Sequence, residues 1–313
     1  MDYTGIINRA FNLSWKHKIF WILGFFTATW GYLGGIEDKF PQISRNFDWS
    51  NNFDFDPHFI ESIVDWMTSG PGIALGIALV GFFMLLGLAF FVLYLISVAG
   101  LIEGVVRVEN GDSHKLKELF LSGVRHFWQF LGLFFLTFFS TGLFFALMVI
   151  PMILFIIAFQ AFGLLFLLVL IPVAIIAAFL ISNVYSLAQR EIVINGTHVF
   201  EAIRVAFRLF KNNLGPNIII FIITAFLWIA IIICGIILAV IFAIPAFIIG
   251  AWSTPFMIIS LVVVLPVFLS IAIVVEGFLG TFFNSLFTYF YLELRNKELA
   301  ENIKNHQDIL PAN

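Results

Sequence analysis

Charge is scarce in this chain. Asp, Glu, Lys and Arg make up 11% of its 313 residues, where a soluble domain carries about 25%. A surface of that size cannot be solvated with so few charges, which excludes an ordinary soluble enzyme and a disordered chain. The formal net charge is −3, so there is no basic footprint for a nucleic acid. Cysteine is nearly absent. Cys234 stands alone in the run IAIIICGIILAV and can form neither an internal disulfide nor a thiolate metal cluster; a small buried hydrophobe is the role expected of it. Catalytic patterns are missing too. No nucleophile–base pair and no paired carboxylates at one depth can be read along the chain, so a non-enzymatic protein without cofactor or metal is expected.

What the chain has instead is apolar length, with 61% hydrophobic residues. Crossing about 30 Å of hydrocarbon takes roughly 20 helical residues. Residues 19–36 and 66–102 are free of formal charge and long enough for one span each. Residues 126–189 are uncharged apart from His126, and must cross twice with a turn near Pro151 to Gly163. Residues 212–275 are uncharged, and apolar character continues to Leu292, for two more spans with a turn around Pro245 to Pro255. Runs such as FGLLFLLVLIPVAIIAAFL do not alternate as barrel strands do, so the spans are helices. The expected fold class is an all-α integral membrane protein with six transmembrane helices.

Lys and Arg set the orientation. Fourteen of the 16 basic residues flank the spans on one side, and only Lys39 and Arg45 lie on the other, in a loop with seven acids. Both termini are therefore expected in the cytoplasm, with the chain in a bacterial plasma membrane. The basic flanks should meet anionic headgroups at about 1 kcal/mol per charge. Cleavage as a signal peptide is not expected, because residues 19–35 are rich in Trp and Phe and no A-x-A-like site follows.

Three segments on the basic side look alike: AFNLSWKHK from Ala10, LFLSGVRHF from Leu119 and AFRLFKNNL from Ala206. Each is a short amphipathic stretch running into a span, expected to lie at the membrane interface. The ends of two spans also match. SVAGLIEGVVRVENG from Ser97 and SNVYSLAQREIVING from Ser182 run the same length to Asn110–Gly111 and Asn195–Gly196. An Asn-Gly pair after a helix fits a left-handed C-cap. The chain therefore reads as three repeated units of an amphipathic helix plus a hairpin, over about 3–110, 111–195 and 196–296, with a cytoplasmic tail at 297–313. Internal repeats are frequent in transporter folds, and in bundles without transport.

The segments AFNLSWKHKIFWILGFF, AGLIEGVVRVENG, AQREIVINGTHVFEAIRVAFRLFKNNLG and FFNSLFTYFYLELR belong to a pattern that spans nearly the whole chain. The pattern resembles a loose group of bacterial six-span membrane proteins of unknown function. That group includes the membrane domain of some glycerophosphoryl diester phosphodiesterases. In those enzymes the chemistry belongs to a separate soluble domain, so the resemblance implies the membrane fold and no activity.

Glu276 is the one acid deep in a span, 15 residues before Tyr291. An intramembrane carboxyl is by default a functional hypothesis. The alternative is a hydrogen-bonded staple to a neighbouring helix, with Ser182 and Asn183 as the nearest polar stretch. Glu103 and Arg107, four residues apart on one helical face, are expected to form an ion pair. Arg190 and Glu191 occupy a similar place in the second unit, and are expected to pair with Glu201 or Arg204 as structural clamps. The spacings Gly72 to Gly76 and Gly100 to Gly104 are read as close helix packing. The acidic loop at residues 36–70 contains DFDPHFIESIVDW, where Asp56 and Pro57 start a short interfacial helix. Asp54, Asp56, His58 and Glu61 match no calcium or zinc spacing.

The functional expectation is a protein that organises membrane or binds lipid or a protein partner, with the bilayer, and anionic lipid at its cytoplasmic face, as its surroundings. The alternative is a transporter of a hydrophobic or lipid-like small molecule.

Overall fold

A computed structural model describes residues 1–33, 65–66, 68–112, 115–159, 163–250 and 254–307. The long helices among the described residues are α1 (Tyr3–Lys16), α2 (Phe20–Leu33), α3 (Gly70–Glu109), α4 (Leu116–Phe159), α5 (Gly163–Asn195), α6 (Val199–Asn212), α7 (Leu214–Gly250) and α8 (Thr254–Gln307). Among the described residues there is no strand. Among the described residues five stretches are long and apolar enough to cross a membrane: Gly70–Glu109, Leu116–Ile157, Leu170–Asn195, Leu214–Phe242 and Pro266–Ala300. These mark a multi-pass membrane protein. The first expected span is shorter as described, since α2 has 14 residues, about 21 Å of helix. The expected helix in the acidic loop and the residues around Asp56 lie outside the described residues.

The helix ends follow local chemistry. The Asp2 side chain accepts from the Gly5 N–H at 2.9 Å and caps α1. Ser69 caps α3 in the same way, with Pro in its first turn. Gly111 and Gly196 have φ of 75° and 66°, a backbone region that glycine enters without strain. Each ends its helix after the Asn of an Asn-Gly pair.

The amphipathic stretches share a register of burial. In α1 the buried positions are Ile6, Ala10, Leu13 and Ser14. In α6 they are Ala202, Ala206, Leu209 and Phe210, at the same relative spacing. Leu119, Ser122 and Gly123 repeat the last three positions in α4. The second stretch departs from expectation in one respect. It is not a separate interfacial helix but the first turns of the continuous helix α4. α1 breaks from α2 at His17–Ile19, and α6 breaks from α7 at Asn213.

The core sits at one end. Its residues come from α1, the start of α2, the end of α3, the start of α4, the end of α5, α6, the start of α7 and the later part of α8. These are the segments bordered by the basic residues. The opposite halves expose their apolar side chains, as at Leu85, Leu147, Ile175 and Ile236. Cys234 belongs to that exposed half, so it faces outward rather than into a core; the helix segments there are apolar all round.

Two seams of small residues join the helices. A Cβ on Gly280 would lie 1.9 Å from the Gly24 carbonyl oxygen, and one on Gly24 would lie 2.1 Å from the Gly277 oxygen. α2 and α8 therefore touch backbone to backbone. A Cβ on Gly123 would lie 2.1 Å from the Ile96 oxygen, and one on Gly100 would lie 2.8 Å from the Leu119 oxygen, which is the contact of α3 with α4. Gly104 packs on the Phe20 ring, whereas Gly76 has open space around it. Of the first spacing read as packing, Gly72 is buried and Gly76 makes no close contact.

Candidate functional site

A buried polar group lies inside the packed end, between α3, α5 and α8. Its centre is Arg190 of α5, which is 2% exposed. Its Nη1 donates to the Ser186 carbonyl at 2.6 Å and to the Ser186 hydroxyl at 2.9 Å. Its Nη2 reaches the Asn284 carbonyl of α8 at 3.4 Å. The guanidinium also lies over the Phe287 ring, 5.6 Å from its centroid, within the reach of a cation–π contact. Its Nε has no hydrogen-bond partner. The hydroxyls of Tyr94 and Tyr185 interact with each other and with Gln189, and Tyr94 also faces Arg190.

This corrects the expected clamp. Glu201 and Arg204 are exposed on α6, and Arg190 takes part in none of the ion pairs formed among the described residues. The reason is rotational. Arg190 lies on the face of α5 turned towards α3 and α8, while Glu201 lies on the solvent side of α6. Glu191 is buried on its own account. Its carboxylate accepts from the Tyr291 hydroxyl, and Asn195 Nδ2 donates to that hydroxyl at 2.9 Å.

At the same end the structure brings Glu103 and Arg107 together, with Nε donating to Oε1 at 2.9 Å. Arg107 also holds Glu118 of α4 at 3.1 Å. Arg9 of α1 reaches Glu109 of α3 at 3.4 Å and Glu293 of α8 at 3.6 Å. Arg208 of α6 reaches Glu298 of α8 at 3.3 Å. Several basic residues expected to meet headgroups are therefore engaged with acids of their own chain.

Glu276 is half-buried and precedes Gly277, whose Cβ position faces the Trp21 carbonyl at 2.6 Å. It thus stands at the edge of the α2–α8 seam. The polar stretch offered as its neighbour is divided: Ser182 is exposed, and the buried Asn183 donates its amide back to the Phe179 carbonyl at 2.8 Å.

An apolar groove of about 620 Å³ opens between α3 and α4. Gly81, Met84, Gly87, Leu88 and Phe91 of α3 and Phe134 of α4 line it, and no titratable group does. Among the described residues no group of three His, Cys, Asp or Glu could hold a metal.

The sequence reading missed Tyr94, Tyr185 and Gln189. A signal was present: a tyrosine inside an apolar run needs a partner for its hydroxyl, and Tyr185 and Gln189, four residues apart, share a helix face with it to offer. No family model, no curated protein and no solved structure matches the chain.

Proposed function

We propose that the chain is a non-enzymatic, lipid-binding membrane protein, built from six spans in three repeated units, with both termini cytoplasmic in a bacterial plasma membrane. The shared burial register of α1, α6 and the start of α4 supports the repeat. The basic side coincides with the packed end, which supports the orientation.

The observation that carries the lipid reading is the groove between α3 and α4. Its volume falls in the range of small-molecule sites, its walls are apolar, and it opens sideways in the half of the bundle that exposes its hydrophobic residues. A site of that composition and place suits an acyl chain. Passage of a polar solute has no support there, since Glu276 is not part of the lining.

The test is photo-crosslinking in nanodiscs made with a phospholipid that carries a photoreactive acyl chain. Adducts are expected on α3 and α4 near Met84 and Phe134. Gly87 has open space about its Cβ position, so Gly87→Phe should fill the groove without disturbing the backbone and suppress those adducts several-fold. Equal labelling along all the lipid-facing helices, unchanged by Gly87→Phe, overturns the reading.

A further inference from the structure

The buried cation of α5 lacks what a buried cation needs. Taking a guanidinium out of water without a counter-charge is costly, and buried charges are accordingly paired. Arg190 is 2% exposed and forms no ion pair among the described residues. Its unused donors lie on one edge. Nε has no partner, and the adjacent Nη2 has only the long 3.4 Å contact to the Asn284 carbonyl. That edge is the fork that grips two oxygens of a carboxylate or phosphate in parallel.

Two further buried donors nearby are also unpartnered. Gln189 Nε2, on the adjacent residue, makes no well-formed hydrogen bond among the described residues, although the side chain borders the Tyr94 and Tyr185 hydroxyls, and Gln189 is 5% exposed. Ser97 Oγ has none either; Ser97 is fully buried and stands three residues on from Tyr94, on the same face of α3. Buried donors without acceptors, on the two helices that meet at this cation, have the composition of an anion site. Tyr94 and Tyr185, which interact with Gln189, are only partly buried.

We infer that the α3–α5–α8 junction is a binding site for a phosphate-class anion, held by the Nε–Nη2 edge of Arg190 with Gln189 and Ser97 as additional donors. The anion can come from solution or from a lipid headgroup. The second source is within reach of the groove, because Phe91 in its lining is one helical turn from Tyr94. The anion site does not depend on the groove being occupied.

The experiment uses the full chain in phosphatidylcholine nanodiscs and reads thermal stability against added inorganic phosphate, then repeats the reading in nanodiscs of mixed phosphatidylcholine and phosphatidylglycerol. Stabilisation by inorganic phosphate identifies a dissolved anion; stabilisation by phosphatidylglycerol alone identifies a headgroup. In either case Arg190→Met should weaken the response on the order of tenfold or more, as loss of a charged hydrogen-bond partner does. Gln189→Met and Ser97→Ala should each weaken it several-fold, and they serve as the reading if Arg190→Met does not fold. A wild-type protein indifferent to both anions overturns the inference, as does a response that these variants leave unchanged. If Gly87→Phe abolishes acyl crosslinking while the phosphate response persists, the anion site stands without the groove.

Discussion

The hydroxyl of Thr281 on α8 donates to the backbone carbonyl of Phe20 on α2 at 2.9 Å, across 261 residues of chain. The same hydroxyl also reaches the Gly277 carbonyl of its own helix at 2.9 Å. It is placed there by the glycines around it, since Gly24, Gly277 and Gly280 let the two backbones meet. The first and last apolar helices are thus joined by a hydrogen bond set within a seam of small residues.

Substitution in that seam should separate the helices. Gly280→Ala places a Cβ against backbone at 1.9 Å, and overpacking of this kind costs about 1–3 kcal/mol. Thr281→Val keeps the shape and removes the bond, at about 0.6 kcal/mol for a typical interhelical hydrogen bond in membrane. Unfolding in detergent measured for both variants should rank them in that order. The reverse order would mean that the bond rather than the close approach holds α2 on α8.

Tyr291 and Glu191 should behave as a coupled pair. Tyr291→Phe leaves the carboxylate of Glu191, itself 1% exposed, without that donor. A buried acceptor deprived of its partner costs about 1–3 kcal/mol. Glu191→Gln should cost less, and the double variant should recover part of the loss. A double-mutant cycle with no coupling would show that the two side chains do not act together.

The Arg107 pairs should matter little to stability. Arg107, Glu103 and Glu118 are all partly exposed, and such pairs contribute roughly 0–1 kcal/mol. Arg107→Ala is expected to lower the unfolding midpoint slightly at low salt and by less at high salt. A large loss independent of salt would point instead to packing by the arginine stem.

Orientation can be read with single cysteines in a Cys234→Ala background. Thr68→Cys should react with an impermeant maleimide on intact cells. Asp112→Cys and Glu201→Cys, both at exposed positions of the basic end, should react only after permeabilisation. The opposite pattern would place the basic end outside.

Much of the architecture was legible in the residues, for identifiable reasons. Long uncharged runs leave the backbone no choice but helix in an apolar medium, and glycine after Asn at 110–111 and 195–196 announced the left-handed turns at Gly111 and Gly196. What could not be read was rotation about each helix axis. That single variable turned Arg190 away from Glu201, left Cys234 exposed and parted Ser182 from Asn183. The extent of burial was hidden as well. Apolar residues of the packed end and of the lipid-facing half are the same in kind, and only contact with other helices tells Leu101 from Leu85. The second amphipathic stretch looked like its two counterparts, yet it continues without a break into α4, because no residue there interrupts the helix.

The contact between α2 and α8 also bears on the order of assembly. Chains are made from the N-terminus, and their parts fold in that order. α2 leaves the ribosome early, but the surface containing Gly277, Gly280 and Thr281 is among the last to be synthesised. Until it arrives, the notch at Gly24 has no backbone to fill it, and among the described residues α2 is held by α3, at Gly100 and Gly104, and by the Trp21 hydrogen bond to Ser14 of α1. Closure of the α2–α8 contact is thereby deferred to the end of translation, and a chain stalled before α8 would leave the Gly24 face of α2 uncovered.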